Sequence, residues 1–384
     1  MDYDIIIVGG GLAGLALAVA LRRSRFAVAV VEGRMPQRPE GWDARIYAIS
    51  PANARFLDNI GIWQHLDAAR LVPVSKMAVR GDGGGELGFS AYDSGVGQLA
   101  WIVESSHLQG ELWESAKRQG NLELLCPAEP VRLDIGDHEA VLELADRRTL
   151  TAKLIIAADG ADSWTRTAAG IEVDFMHYGQ AGLVANFATA RPHREVAHQW
   201  FRTDGILAYL PLPGNQISIV WSTPAAHAEE LLALGTEEFC ERVAAAGEYA
   251  LGKLNLVTPP AAFPLRLMRA PHTVAHRLAL IGDAAHTIHP LSGHGINLGF
   301  QDAKSLAATL AACPAHVDHG DVQCLRRHER ARREEVVALQ TATHGLQRLF
   351  GSPLAPVAAM RNLGLNLVAR LPVIKDTLVR YAMG

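Results

Sequence analysis

The feature that most restricts this chain is the order of elements in residues 4–32. Asp4-Ile5-Ile6-Ile7-Val8 is a short apolar run with β-branched side chains, the pattern of a strand buried on both faces. It ends in Gly9-Gly10-Gly11-Leu12-Ala13-Gly14, a G-x-G-x-x-G match. Residues 12–23 are rich in Ala and Leu and nearly free of polar side chains until Arg22, which predicts a helix. A second apolar run, Ala27-Val28-Ala29-Val30-Val31, ends on Glu32. Gly9 permits the tight turn, Gly11 lets backbone approach a pyrophosphate, and Gly14 allows close packing of helix on strand. The helix start offers free N–H groups and a positive dipole end to phosphates. Glu32 sits where a carboxylate accepts hydrogen bonds from a ribose. A glycine fingerprint alone is weak, but strand, loop, helix, strand and acid in order predict a dinucleotide site. The terminal acid disfavours a 2′-phosphate, leaving FAD or NAD(H). This segment does not separate the two.

The chain has 384 residues, 49% hydrophobic and 20% charged, with a formal net charge of −4. That length suggests two or three lobes around a large core, and the composition excludes wholesale disorder. The mild negative charge argues against a nucleic-acid partner. Cys126, Cys240, Cys313 and Cys324 are far apart in sequence with no C-x-x-C pair, so neither a disulfide framework nor a zinc site is expected. The apolar start follows Asp2 and Asp4, not a basic segment, so no signal peptide is read there. Residues 205–228 carry no Asp, Glu, Lys or Arg, yet Pro211, Pro213, Gly214 and Asn215 break them into two strands and a turn. The expected location is the cytoplasm, either free or peripheral to the inner face of the cytoplasmic membrane.

Two later turns decide between the nucleotides. Leu154-Ile155-Ile156-Ala157-Ala158 runs into Asp159-Gly160-Ala161-Asp162-Ser163, and Leu278-Ala279-Leu280-Ile281 into Gly282-Asp283-Ala284-Ala285-His286. The latter continues through His289-Pro290 to Gly293-His294-Gly295-Ile296-Asn297-Leu298-Gly299 and a helix from about Phe300. One nucleotide-binding unit needs no further strand-to-Gly/Asp turns, whereas a long cofactor across several strand ends does. Asp283 is placed to bond a ribityl chain, and the amides around Gly293 and Gly295 can face an anionic ring edge.

These three motifs resemble those of class A flavoprotein monooxygenases, the para-hydroxybenzoate hydroxylase fold. The resemblance sharpens to the aromatic hydroxylases of ubiquinone biosynthesis. It is carried further by Asp43-Ala44-Arg45-Ile46-Tyr47-Ala48-Ile49-Ser50, the strand pair at Asp204-Gly205 and Leu210-Pro211-Leu212, His328-Glu329-Arg330-Ala331-Arg332-Arg333, and the tail Arg380-Tyr381-Ala382-Met383-Gly384. It spans essentially the whole chain. Two departures are His294, where glutamine is expected, and Ser105-Ser106-His107, where Asn-Arg is more usual ahead of Gln109.

The resemblance implies an α/β fold: a GR2-type Rossmann-like FAD-binding domain from residues 1–75, 100–175 and 270–310, a β-sheet substrate lobe from 76–99 and 176–269, and a helical C-terminal region, 311–384. FAD contacts are implied at Gly9, Gly11, Leu12, Ala13, Gly14, Glu32, Gly33, Arg34, Arg45, Gln109, Val131, Asp159, Gly160, Gly282, Asp283, Gly293, His294, Gly295, Ile296 and Asn297. Pro290 is implied as the wall over the reactive edge of the flavin, with His289 and Gly293 beside it. Simpler readings exist for several: Pro290 stopping a turn, Arg45 on the surface, Gln109 and Val131 only packing.

The implied activity is hydroxylation of a polyprenylated phenol or quinol through a flavin C4a-hydroperoxide. It would use O₂ and NAD(P)H or another electron donor. Alternatives are hydroxylation of another small aromatic, or a flavoprotein subunit supporting a quinone-biosynthesis complex. The W-x-W-x-I-P segment of flavin halogenases does not occur.

His286, His289 and His294 with Asp283 lack metal-site spacing, so no metal is expected and His286 is read as a hydrogen-bonded core residue. Residues 183–187, 197–201, 206–210 and 216–221 alternate as antiparallel strands, with Ile217, Ile219 and Trp221 on one face and Ser218 and Val220 on the other. Trp200, Phe201, Tyr209, Leu210 and Trp221 are candidates to line an apolar substrate cavity, with plain core packing as the alternative. His328–Glu335 reads as a solvated helix face. Residues 354–383 mix Leu and Val with Arg361, Arg370, Lys375 and Arg380, which suits a membrane or partner contact, or packing on the flavin domain.

Overall fold

The computed structural model describes residues 2–350 apart from 38, 290–292 and 294. The elements that position the site are β1 (Tyr3–Val8), α1 (Leu12–Ala20), β2 (Val28–Val31), α2 (Ser105–Lys117), β3 (Thr149–Ala157), β4 (Asp174–Thr189), β5 (Val196–Arg202), β6 (Gly205–Leu212), β7 (Gln216–Pro224), β8 (Ala261–Arg269), β9 (Leu278–Leu280), α3 (Gly295–Ala311) and α4 (Val322–Phe350).

The apolar runs at β1, β2, β3 and β9 lie side by side in the order β9–β3–β1–β2, all parallel. Their continuous hydrophobicity follows from burial on both faces. Ile5, Ile7, Val28, Val30, Leu154 and Ile156 pack under α1, α2 and α3, while Ile6, Val8, Ala29, Val31, Ile155 and Ala157 pack on the opposite side. α1 is almost wholly buried, which explains its lack of polar residues.

Among the described residues the second sheet has nine strands. β4, β7, β6 and β5 pair antiparallel in that order, β8 pairs with β4, and β5 adds the strand Lys76–Arg80 in parallel. The charge-free stretch is indeed the two strands β6 and β7. Side-chain alternation divides this sheet. Leu183, Phe187, Trp200, Leu207, Tyr209, Ile217, Ile219 and Trp221 form a core with the helices Ala225–Ala233 and Thr236–Ala246. Trp200, Tyr209 and Trp221 therefore do not line a cavity on the cofactor side. They fill the outer core, and the Tyr209 hydroxyl donates to the Val243 carbonyl at 2.6 Å. Phe201 and Leu210 fall on the inner face, where Leu210 packs with Ile46, Ala48, Val74 and Ile102.

The charged run at the start of α4 is not a solvated face throughout. His328 and Arg332, one turn apart, are buried against Asp302 of α3, while Arg330 and Arg333 remain exposed. The cysteines Cys313 and Cys324, separated in sequence, are buried free thiols in hydrogen-bonding contact across the α3–α4 connection. Among the described residues no helix is long and apolar enough to cross a membrane.

Candidate active site

The neighbouring parallel strands β9, β3, β1 and β2 end on one edge of their sheet. Gly282-Asp283, Asp159-Gly160, the Gly9–Gly14 loop and Glu32 are thereby placed in a row. Gly9 has φ +111, and a Cβ there would lie 2.4 Å from the Ala158 carbonyl oxygen; at Gly14 a Cβ would lie 2.1 Å from the Gly9 oxygen. Glycine is required at both by the protein itself. At Gly11 a Cβ would meet nothing within 4 Å, and Gly11 caps α1 without a side-chain bond. That leaves an open cradle of helix-start amides, which suits a phosphate.

The Glu32 carboxylate accepts from Gly10 N at 2.6 Å and Arg34 N at 2.9 Å, which fixes it beside the loop. Gln109 donates from Nε2 to the Gly10 carbonyl at 2.8 Å, tying α2 to the same turn. Leu12 is buried, and the Ala13 methyl fills the notch between Gly282 and Gly299. Gly33 and Arg34 are exposed. Val131 is 52% exposed, three residues past Ala128, whose N–H donates to the Glu32 carbonyl.

The Asp159 carboxylate is committed locally: it accepts from Ser163 Oγ at 2.5 Å and from Thr165 N and Oγ1, each at 2.9 Å. What this turn offers a cofactor is Gly160, with φ +85 and open space at its Cβ position. Arg166 donates to the carbonyls of Ala161 and Ala284, both at 3.0 Å, and so clamps the two Gly/Asp turns together. The Asp283 side chain is exposed to a recess, yet protein surrounds it closely enough that burial raises its carboxyl pKa, against the pull of His286 and Arg45. Tyr47, raised by burial, touches Ser105 and stands near Arg45 and Asp283. Asp43 holds Arg45 N at 2.8 Å and Ser106 N at 2.9 Å, joining that segment to the start of α2.

Gly293 has φ +63. Asn297, buried at the start of α3, donates to the carbonyls of Ala48 at 2.8 Å and Gly293 at 3.2 Å and accepts from Ser50 N at 2.9 Å. It locks the Gly293 turn to the segment bearing Tyr47. Gly295 faces open space at its Cβ position, and the half-buried Ile296 packs on the main core. His289 is buried, 3.1 Å from Gln180 Oε1 and edge-on to Tyr178; burial lowers its pKa to about 4, so the ring is neutral at physiological pH. Pro290 and His294 lie outside the described residues.

Sequence reasoning missed Asp302. It accepts from Gly282 N at 3.0 Å, His286 Nε2 at 2.7 Å and Arg332 Nε at 2.7 Å. Burial alone would raise its pKa, but His286 and Arg332 hold it well below the usual carboxylate range. Burial likewise opposes charge on His286, and Asp302 outweighs it, raising the imidazole above its ordinary value. The result is a buried ion cluster behind the Gly282 turn. Its only sequence signal is one-turn spacing of His328 and Arg332.

The inner face of the second sheet supplies an apolar surface nearby. Ala208, Val220, Val184 and Ala261 are cross-strand neighbours in one row. In the next row Phe263 lies over Gly182, where a Cβ would be 2.8 Å from its ring, and remains 44% exposed. The open cradle at Gly11, the Glu32 carboxylate, the recessed Asp283 and the amides of Gly293 and Gly295 are chemically suited to the parts of an FAD.

A family model described as FAD binding domain matches residues 2–343. The chain belongs to that family. This flavoprotein is 36% identical over 387 residues to the ubiquinone hydroxylase UbiL of Rhodospirillum rubrum, covering 99% of this chain and 89% of the relative. It is 33% identical to the 3-demethoxyubiquinol 3-hydroxylase of Escherichia coli, covering 99% and 98%. In fold it is similar to p-nitrophenol 4-monooxygenase PnpA from Pseudomonas putida, with a TM-score of 0.82, 18% identity and coverage of 100% and 98%. The flavoprotein is an FAD-dependent monooxygenase of the hydroxylase type.

Proposed function

We propose that this flavoprotein hydroxylates the aromatic ring of a polyprenylated phenol in ubiquinone biosynthesis. The observation that carries the reading is the apolar row Ala208–Val220–Val184–Ala261, with Phe263 and Leu210 beside it, on the sheet face that meets Ile46 and Ala48. That surface suits a ring with a hydrocarbon tail, and relatives named as ubiquinone hydroxylases support the substrate class.

Bound FAD supplies electron transfer to O₂ and delivery of one oxygen atom to the ring, with NAD(P)H or another donor as reductant. The chain binds, orients and dries the site. Gly11 and the α1 amides would take the phosphates, Glu32 the ribose, Asp283 the ribityl hydroxyls, and the backbone at Gly293 and Gly295 the ring edge. Neutral His289 and apolar Phe263 present no charge to the reacting ring, and exclusion of water protects the oxygen-transfer step.

Deleting the gene in its host and analysing quinones by mass spectrometry tests the proposal. Accumulation of a precursor lacking one ring hydroxyl is expected, and unchanged ubiquinone with no precursor would refute it. For the tail, the basic and apolar residues of 354–383 support contact with a membrane or a biosynthetic complex. Truncation after Gly351 should then preserve FAD binding but lower activity in cells. A truncated protein that loses flavin favours packing on the flavin domain instead.

A further inference from the structure

A cavity of about 360 Å³ lies behind the Gly282 turn, between α4, the start of β4 and the loop following β8. None of the residues assigned to FAD lines it, and its volume is within the range of small-molecule sites.

Three arginines reach it. Arg269 and Arg333 are exposed at its rim. Arg332 is 7% exposed, with Nε on Asp302 and Nη1 on Glu335, but its Nη2 has no hydrogen-bond partner among the described residues. A guanidinium cannot shed its charge, so a buried open donor of this kind calls for an acceptor.

Two of the lining acids are already engaged. Asp302 is held by Gly282 N, His286 and Arg332, and Glu329 accepts from Thr273 N at 2.9 Å. Asp174, exposed at the rim, is the charge that works against an anion. Leu280, Val336 and Val337 supply apolar wall, beside the polar Thr273, Gln340 and Thr341.

We propose that this cavity binds a small amphiphilic anion, a carboxylate or phosphate on an apolar body, with its oxygens on Arg332 Nη2 and between the rim arginines. Arg332 holds Asp302, which holds Gly282 N, so the occupant would sit three hydrogen bonds from the cofactor turn.

The test uses the FAD-loaded protein at constant ionic strength, with benzoate and phenyl phosphate as probes and acetate and inorganic phosphate as controls. Thermal stability should rise saturably with at least one probe, and the tighter probe distinguishes a carboxylate source from a phosphate source. Hydrogen exchange should slow over residues 270–273 and 332–341. Arg269→Ala/Arg333→Ala, which alters only exposed side chains, should weaken that response at least tenfold. No saturable response, an equal response in the double variant, or protection confined to the Gly9–Gly14 loop would overturn the site. Controls binding as tightly as the probes would overturn its amphiphilic character.

Discussion

At Gly14 a Cβ would collide with the Gly9 carbonyl at 2.1 Å, whereas at Gly11 and Gly295 it would meet nothing within 4 Å among the described residues. The glycines should therefore fail differently when substituted. Gly14→Ala forces strand and helix apart and should destabilise the apoprotein by about 1–3 kcal/mol in urea unfolding. Gly295→Val should leave folding intact, because its side chain meets nothing among the described residues, and it enters the space proposed for the flavin. Weaker FAD binding or a shifted visible spectrum, with loss of hydroxylation, is the expected outcome. A parent-like spectrum and rate would place this turn away from the ring. Glu32→Ala removes the proposed ribose acceptor and the partner of Gly10 N and Arg34 N, and should weaken FAD by about 1–3 kcal/mol in a fluorescence titration. Unchanged affinity would remove the ribose assignment. The turns and strand ends that carry these residues were readable from sequence because each rests on a short contiguous motif. The local commitment of Asp159 was not, since Ser163 and Thr165 become its partners only once the turn closes.

Between elements, the decisive contact joins α3 to α4. Arg332→Ala leaves Asp302 buried with one cation fewer and should cost about 3–5 kcal/mol in chemical denaturation. Arg330→Ala, on the exposed side of the same helix, should stay within about 0.5 kcal/mol. Equal, small effects would mean that the charged run is solvated after all. Sequence patterning read the whole run His328–Glu335 as a solvated face, because its charge density does not show that one side, bearing His328 and Arg332, packs on Asp302. The same holds in the second sheet. Period two correctly separated Trp221 from Ser218, yet only the docking of Ala225–Ala233 and Thr236–Ala246 made the tryptophan side the outer core.

For the whole molecule, buried histidines predict a pH response. Burial lowers His198, His289 and His328 to about 4, whereas an unfolded histidine titrates near 6.5. Between those values the unfolded chain takes up protons that the native state refuses. Stability should thus fall as pH drops from 6.5 to 4, by up to about 1.4 kcal/mol per pH unit for each histidine. His286, raised by Asp302, has the opposite sign: its contribution is complete below 6.5 and fades as pH rises through its native value. Asp302 contributes a further loss only below the ordinary carboxylate range. A melting temperature that does not change from pH 7 to 4 would contradict this balance.

The nucleotide unit and the two Gly/Asp turns could be read directly because tight turns, β-branched runs and helix starts are governed by neighbours within a few residues. Strand adjacency, the inner apolar row, the Asp302 cluster and the cavity at Arg332 join residues tens to hundreds of positions apart. Their energies come from burial and charge pairing, which exist only after the chain has packed.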